Sequence, residues 1–131
     1  MTISDARDLF KEICPNLTEY FVGKYNAQLS KVINLKRGVS VQRKAIGGMK
    51  QTSYSSIACN CIFVGTDNCK ETDELAYSIR ESLLKVGHPE INGFKVIQVI
   101  LRNFVEIGIN EKENYEYAID FEIVYQRKQE E

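Results

Sequence analysis

The sequence predicts an α+β domain: a mostly antiparallel sheet with two main helices on one face, in the order α-β-β-(long loop)-β-α-β-β. Three observations carry this expectation. Residues 115–126 alternate with period two, placing Tyr115, Tyr117, Ile119, Phe121, Ile123 and Tyr125 on one side of a strand. Two stretches, about 4–14 and 69–86, repeat apolar residues at helical spacing instead. The strand-like runs between them lack the regular βαβ alternation of a parallel sheet, so helices gathered on one side of an antiparallel sheet fit best. A chain of 131 residues suits one domain, 1–131, with enough buried surface for a core without staples.

In chain order, the first helix is expected from Ser4 to Cys14, with Ser4 as cap, Asp5 and Asp8 near the positive end of its dipole, and Pro15 as its stop. Ala6, Leu9, Phe10 and Ile13 share its apolar face. Strands follow at Glu19–Gly23 and Lys31–Lys36. Residues 37–56 hold three glycines, Arg43, Lys44 and Lys50, and few apolar side chains, which reads as a mobile basic loop or protruding hairpin. Residues 56–66 form a buried strand, apolar on both faces, and Thr66-Asp67-Asn68 supplies turn and capping chemistry. The second helix runs from Cys69 to Val86 with Thr72, Leu75, Ile79, Leu83 and Val86 in one stripe and Gly87 as its stop. Glu90-Ile91-Asn92-Gly93 is a turn into a strand from Phe94 to Arg102, and the alternating strand closes the domain. Its second face carries Glu116, Asp120 and Glu122, which are expected to form a solvated acidic surface rather than a pair of catalytic carboxylates.

The composition, 44% hydrophobic and 27% charged, is that of an ordinary folded domain. No apolar run approaches the roughly 20 residues of a membrane span, and the first residues lack a signal-peptide pattern, so a cytoplasmic protein is expected. The spacing of Cys14, Cys59, Cys61 and Cys69 does not give the paired ligands of a zinc site. Cys59 and Cys61 instead point to one strand face as small buried hydrophobes. No cofactor and no metal are expected. Nucleotide-binding, metalloprotease and nucleophile-elbow motifs do not occur, and His88, between Gly87 and Pro89, reads as an exposed turn residue rather than a base.

Charge is more informative. The net charge of −1 conceals −2 over residues 1–19, +7 over 20–66, where no acid occurs, and −6 over 67–131. Copies packed head to tail could set the basic segment of one against the acidic segment of the next, and heterologous contacts of this kind close into rings. The residues expected at such a subunit or partner interface are Lys36, Arg37, Arg43, Lys44 and Lys50 on the basic side and Glu116, Asp120 and Glu122 on the acidic side. Binding of nucleic acid by the basic block is the competing reading, but the overall pI of about 5.9 is low for that role.

The run from Phe63 to Ala76 (FVGTDNCKETDELA), followed by Ile91-Asn92-Gly93, Ile107-Gly108-Ile109-Asn110-Glu111 and Tyr115-Glu116-Tyr117-Ala118-Ile119-Asp120-Phe121, resembles the tail-terminator and minor-capsid proteins of tailed phages and prophages. The likeness covers about residues 60–127. It implies a tail-terminator-like fold and a non-enzymatic ring, commonly a hexamer, that caps the tail tube and ends its growth. The implied partners are further copies of the chain, the tail tube protein, and a sheath or head-connector protein. Phage-tail-like bacteriocins use a comparable collar component. The implied location is the host bacterial cytoplasm during assembly and then the particle itself. Another connector or tail component is the neighbouring alternative.

Overall fold

The computed structural model describes residues 1–23, 29–38 and 54–127. The elements are α1 (Ile3–Ile13), β1 (Glu19–Val22), β2 (Val32–Arg37), β3 (Tyr54–Val64), α2 (Cys69–Leu84), β4 (Glu90–Ile91), β5 (Phe94–Ile109) and β6 (Tyr115–Arg127). They build one six-stranded sheet in the order β1-β2-β3-β6-β5-β4. Every neighbouring pair is antiparallel except β1 and β2. The α+β class and the mostly antiparallel sheet therefore match the expectation, with the short β4 as an added strand.

The centre of the sheet is the β3–β6 pair, in register from Tyr54↔Gln126 to Val64↔Glu116. Strict alternation on both strands sends Ile57, Cys59, Cys61 and Phe63 to the same side as Ile119, Phe121 and Ile123, and all are buried. Ala6, Leu9 and Phe10 of α1 and Ala76, Ile79 and Leu83 of α2 join them in one core. The ring of Phe10 lies 5.9 Å from that of Phe121, a spacing at which aromatic pairs attract.

Helix α1 starts one residue earlier than expected, because Thr2 rather than Ser4 is its cap. The Asp5 N–H donates to Thr2 Oγ1 at 3.2 Å and the Thr2 N–H donates to Asp5 Oδ2 at 2.8 Å, a reciprocal box that Ser4 is not placed to make. Asn68 caps α2 by accepting from the Glu71 N–H at 2.9 Å. That helix ends at Leu84, before Gly87, with the Lys85 N–H bonded to Glu81 O. The acids of α1 also anchor the far edge of the sheet. Asn92-Gly93 turns β4 into β5 with φ of 52° and 83°, both left-handed as the tightest hairpins require. The Asn92 amide then donates to Asp5 Oδ1 and Asp8 Oδ2, each at 2.8 Å.

Two strand limits differ from the expectation. Residues 39–53 lie outside those described, but Arg37 ends β2 and Tyr54 opens β3, so the expected loop of 37–56 is trimmed at both ends. β5 continues past Arg102 to Ile109, giving 16 residues against 13 in β6. The surplus leaves the ladder at three bulges, between Val96 and Gln98, Leu101 and Asn103, and Glu106 and Gly108. Each bulge shifts the alternation by one residue and bends the strand, which is why the periodicity loses β5 midway.

The passage from β3 into α2 is the tightest in the chain. Thr72 is buried, accepts from the Thr66 N–H at 2.9 Å and donates to Thr66 O at 3.2 Å. A Cβ on Gly65 would stand 2.3 Å from Thr72 Cγ2 and 2.8 Å from its Cβ. Gly65→Ala is expected to cost about 1–3 kcal/mol in a urea titration through overpacking. Gly87→Ala, where an added Cβ meets nothing within 4 Å, is expected to be neutral or stabilising by up to about 1 kcal/mol.

Candidate functional site

The face of the sheet turned away from the helices carries four of the eight expected interface residues, Lys36, Glu116, Asp120 and Glu122. Pairing sets Lys36 opposite Asn60, Asn60 opposite Asp120, and Asp120 opposite Asn103, giving a polar row across four strands. The Asn60 amide donates to Asp120 Oδ1 at 2.7 Å. Glu116 lies between Val64 and Gly108, and Glu122 between Ala58 and Ile100.

This face forms a trough with two clefts of about 340 Å³ each. One is lined by Gly23, Asn34, Lys36, Asn60, Ile62, Ile107 and Glu116. The other is lined by Gly38, Ala58, Asn60, Arg102, Asp120 and Glu122. Gly23 follows β1 and Ile107 belongs to β5, four strands away; in a flat sheet about 19 Å would separate them. Lining one cleft, they require a curled sheet, and the three bulges in β5 supply the bend.

Curling overturns the expected solvated acidic face. Glu116 is 6% exposed, Glu122 2% exposed, and Asp120 half-buried. Arg102 Nη2 donates to Glu122 Oε1 at 3.1 Å and Asn110 Nδ2 donates to Glu116 Oε2 at 3.0 Å. A buried carboxylate is tolerable when a cation or amide donors meet it, and the trough provides both. Lys36 and Glu116 share one cleft, while Asp120 and Glu122 share the other. Arg37 stands exposed at the end of β2, opposite Cys59. Arg43, Lys44 and Lys50 lie outside the described residues.

Two groupings escaped the sequence reading because their members are far apart in the chain. At the start of α2, ligand atoms of Cys69, Asp73 and Glu106 lie within 4.8 Å of one another. Tyr117 donates its hydroxyl to Asp73 Oδ1 at 2.5 Å. Shielding from water, the hydrogen bond it donates to Asp73 and the charges of Asp73 and Glu106 push the Tyr117 hydroxyl well above its ordinary range. The second grouping is aromatic and joins α2, β5 and β6, while Leu84 on α2 and Val105, Ile107 and Ile109 on β5 stand exposed separately. Tyr77 packs on Phe104 at 5.2 Å, Phe104 on Tyr117 at 5.1 Å, and Arg80 sits 6.0 Å over the Phe104 ring.

The cysteines divide by burial. Cys59 and Cys61 are buried on the core face as expected, and all four cysteines are free thiols. Burial pushes Cys14 up to about 11 and Cys59 up to about 12, and raises Cys61 well above its ordinary value. Exposed Cys69 is raised too, by partial shielding from water and by the carboxylates of Asp73 and Glu106. His88 is exposed, as expected, with Nδ1 3.3 Å from Val96 O.

Two measurements test this geometry. Arg102→Met is expected to cost about 1 kcal/mol in chemical denaturation, because it leaves the Glu122 carboxylate short of a donor while its own half-exposed position limits the loss; Lys36→Met should stay within about 0.5 kcal/mol. With a disulfide reagent at pH 8, Cys69 alone is expected to react quickly in the folded protein, the other three thiols only after unfolding. Because the raised pKa keeps Cys69 protonated, Glu106→Gln should lower that pKa and speed the reaction. No protein-family model and no curated protein matches the chain.

Proposed function

We propose that this chain is a non-enzymatic structural subunit that assembles into a ring on the tail tube of a phage or phage-tail-like particle, ending tube growth and forming the head- or collar-side junction. The observation that carries this reading is the run of exposed apolar side chains on β5, Val105, Ile107 and Ile109. Single exposed apolar residues are common, but three within five residues of one strand are the composition of a contact surface. These residues fall within 60–127, the stretch whose sequence resembles that of tail terminators. The uneven charge along the chain adds a reason for copies to meet in a fixed register. In this reading the tube protein, further copies of the chain, and a sheath or connector protein are the partners, and the topology is tail-terminator-like. None of the helices described is long and apolar enough to cross a membrane, which accords with a component assembled away from one.

The purified chain is expected to give ring-shaped particles in negative stain and to shorten tubes when added to polymerising tail tube protein. Genes for a tube, sheath or tape-measure protein beside its coding sequence are the expected context. A chain without effect on tube length that instead retains mixed-sequence DNA in a salt-dependent way would move the function to nucleic-acid binding.

A further inference from the structure

The sheet leaves most of one strand edge open. β4 pairs only with Phe94 and Lys95, and the Val96 N–H is bonded to Pro89 O. From Ile97 to Ile109, no described residue hydrogen-bonds to the outward side of β5. Val105, Ile107 and Ile109 stand along this edge at 46%, 52% and 59% exposure. An apolar strand edge of this length invites pairing with another chain. The bulges limit what can pair with it, because they break the row of backbone groups and leave two four-residue regular windows, Gln98–Leu101 and Asn103–Glu106, the second of which holds Val105 and Glu106. Only a short strand fits such a window, and β1, at the opposite edge of the sheet, has four residues.

Charge selects the occupant. At this end of the edge the acids Asp73, Glu106, Glu111 and Glu113 outnumber the bases Arg80 and Lys112, Arg102 being engaged by Glu122, which leaves a net acidic rim. Two such edges brought together would set acid against acid. On the other side of the sheet β1 opens with the acid Glu19, but from Tyr20 to Thr66 the chain carries none, and there Lys36 and Arg37 are exposed on β2. We propose that the outer edge of β5 docks a second copy of this chain head to tail, against the neighbour's basic β1–β2 side. This deepens the assembly reading above and rests on it.

Strand direction agrees. β1 runs parallel to β2, and three antiparallel steps through β3 and β6 bring β5 opposite to both. A repeat that continues the sheet from one copy into the next therefore sets β1 antiparallel to β5, the pairing with the more favourable hydrogen bonds. Such a contact is heterologous, uses different surfaces on the two copies, and propagates until it closes.

Sedimentation velocity of the full chain at low and high salt, with circular dichroism to verify folding, tests the proposal. Glu106→Lys and Ile107→Lys are each expected to weaken self-association at least tenfold, and the pair Lys36→Glu with Arg37→Glu should do the same. Combining Glu106→Lys with Lys36→Glu and Arg37→Glu should restore it. If Ile107→Lys fails to fold, Ile109→Lys reads the same edge at a more exposed position. Rings that persist unchanged in all edge variants would overturn the β5 interface while leaving the capping function standing. A wild-type chain that stays monomeric yet shortens tubes would do the same. A monomer that leaves tubes unaffected removes both.

Discussion

The constraint on which the rest depends is the mismatch between the two longest strands: 16 residues of β5 run against 13 of β6 in one antiparallel pair. A ladder has room for one residue per rung, so three residues must leave it. Each departure adds twist and bends the strand, and the sheet curls about the face opposite the helices. Through that curl Ile107 and the distant Gly23 come to line one cleft, and two glutamates of β6 pass from a surface into a trough. The same bulges interrupt the outer edge of β5. One geometric surplus shapes both the sheltered polar face and the open apolar border.

The trough and the core balance different forces on the two sides of the same strands. On the helix side, Phe10, Phe63, Phe121 and their aliphatic neighbours leave water, each large side chain contributing about 1.5–3 kcal/mol. On the trough side, the gain is orientation. Arg102, Asn60 and Asn110 each meet a carboxylate of β6, which fixes how β3, β5 and β6 sit relative to one another. Removing a partner from such a set costs more than the bond itself contributed, because the carboxylate stays out of water.

Much of this was legible in the sequence where one periodicity ran unbroken. The alternation of Tyr115 to Gln126, the stripe of Thr72, Ile79 and Leu83, and the inward Cys59 and Cys61 follow directly from residue spacing. β5 was legible only to Arg102, because a bulge moves the pattern by one residue and the apolar side chains beyond it, Val105, Ile107 and Ile109, no longer face a core. The acidic residues were found, yet their burial was not, since a period of two tells which residues share a face and not whether the sheet bends over it. Cys69 and Glu106 meet through the packing of α2 on β5, and nothing local marks a contact between residues 37 positions apart. The capping of α1 by Thr2 was readable: a threonine three residues before an aspartate is a signal that Ser4 masked.

The order of the sheet also has a consequence for how the domain comes into being. β6, the last of the described strands to be synthesised, sits between β3 and β5 and covers both. Until it emerges, β3 has β2 on one side and an open apolar edge on the other, and α1 has no Phe121 to pack against. A domain whose central seam joins residues 54–64 to residues 116–126 has high contact order and gathers its core late. Nascent copies made side by side on one message would therefore expose matching unpaired strands at the same time, a setting in which exchange of β6 between chains competes with its insertion at home.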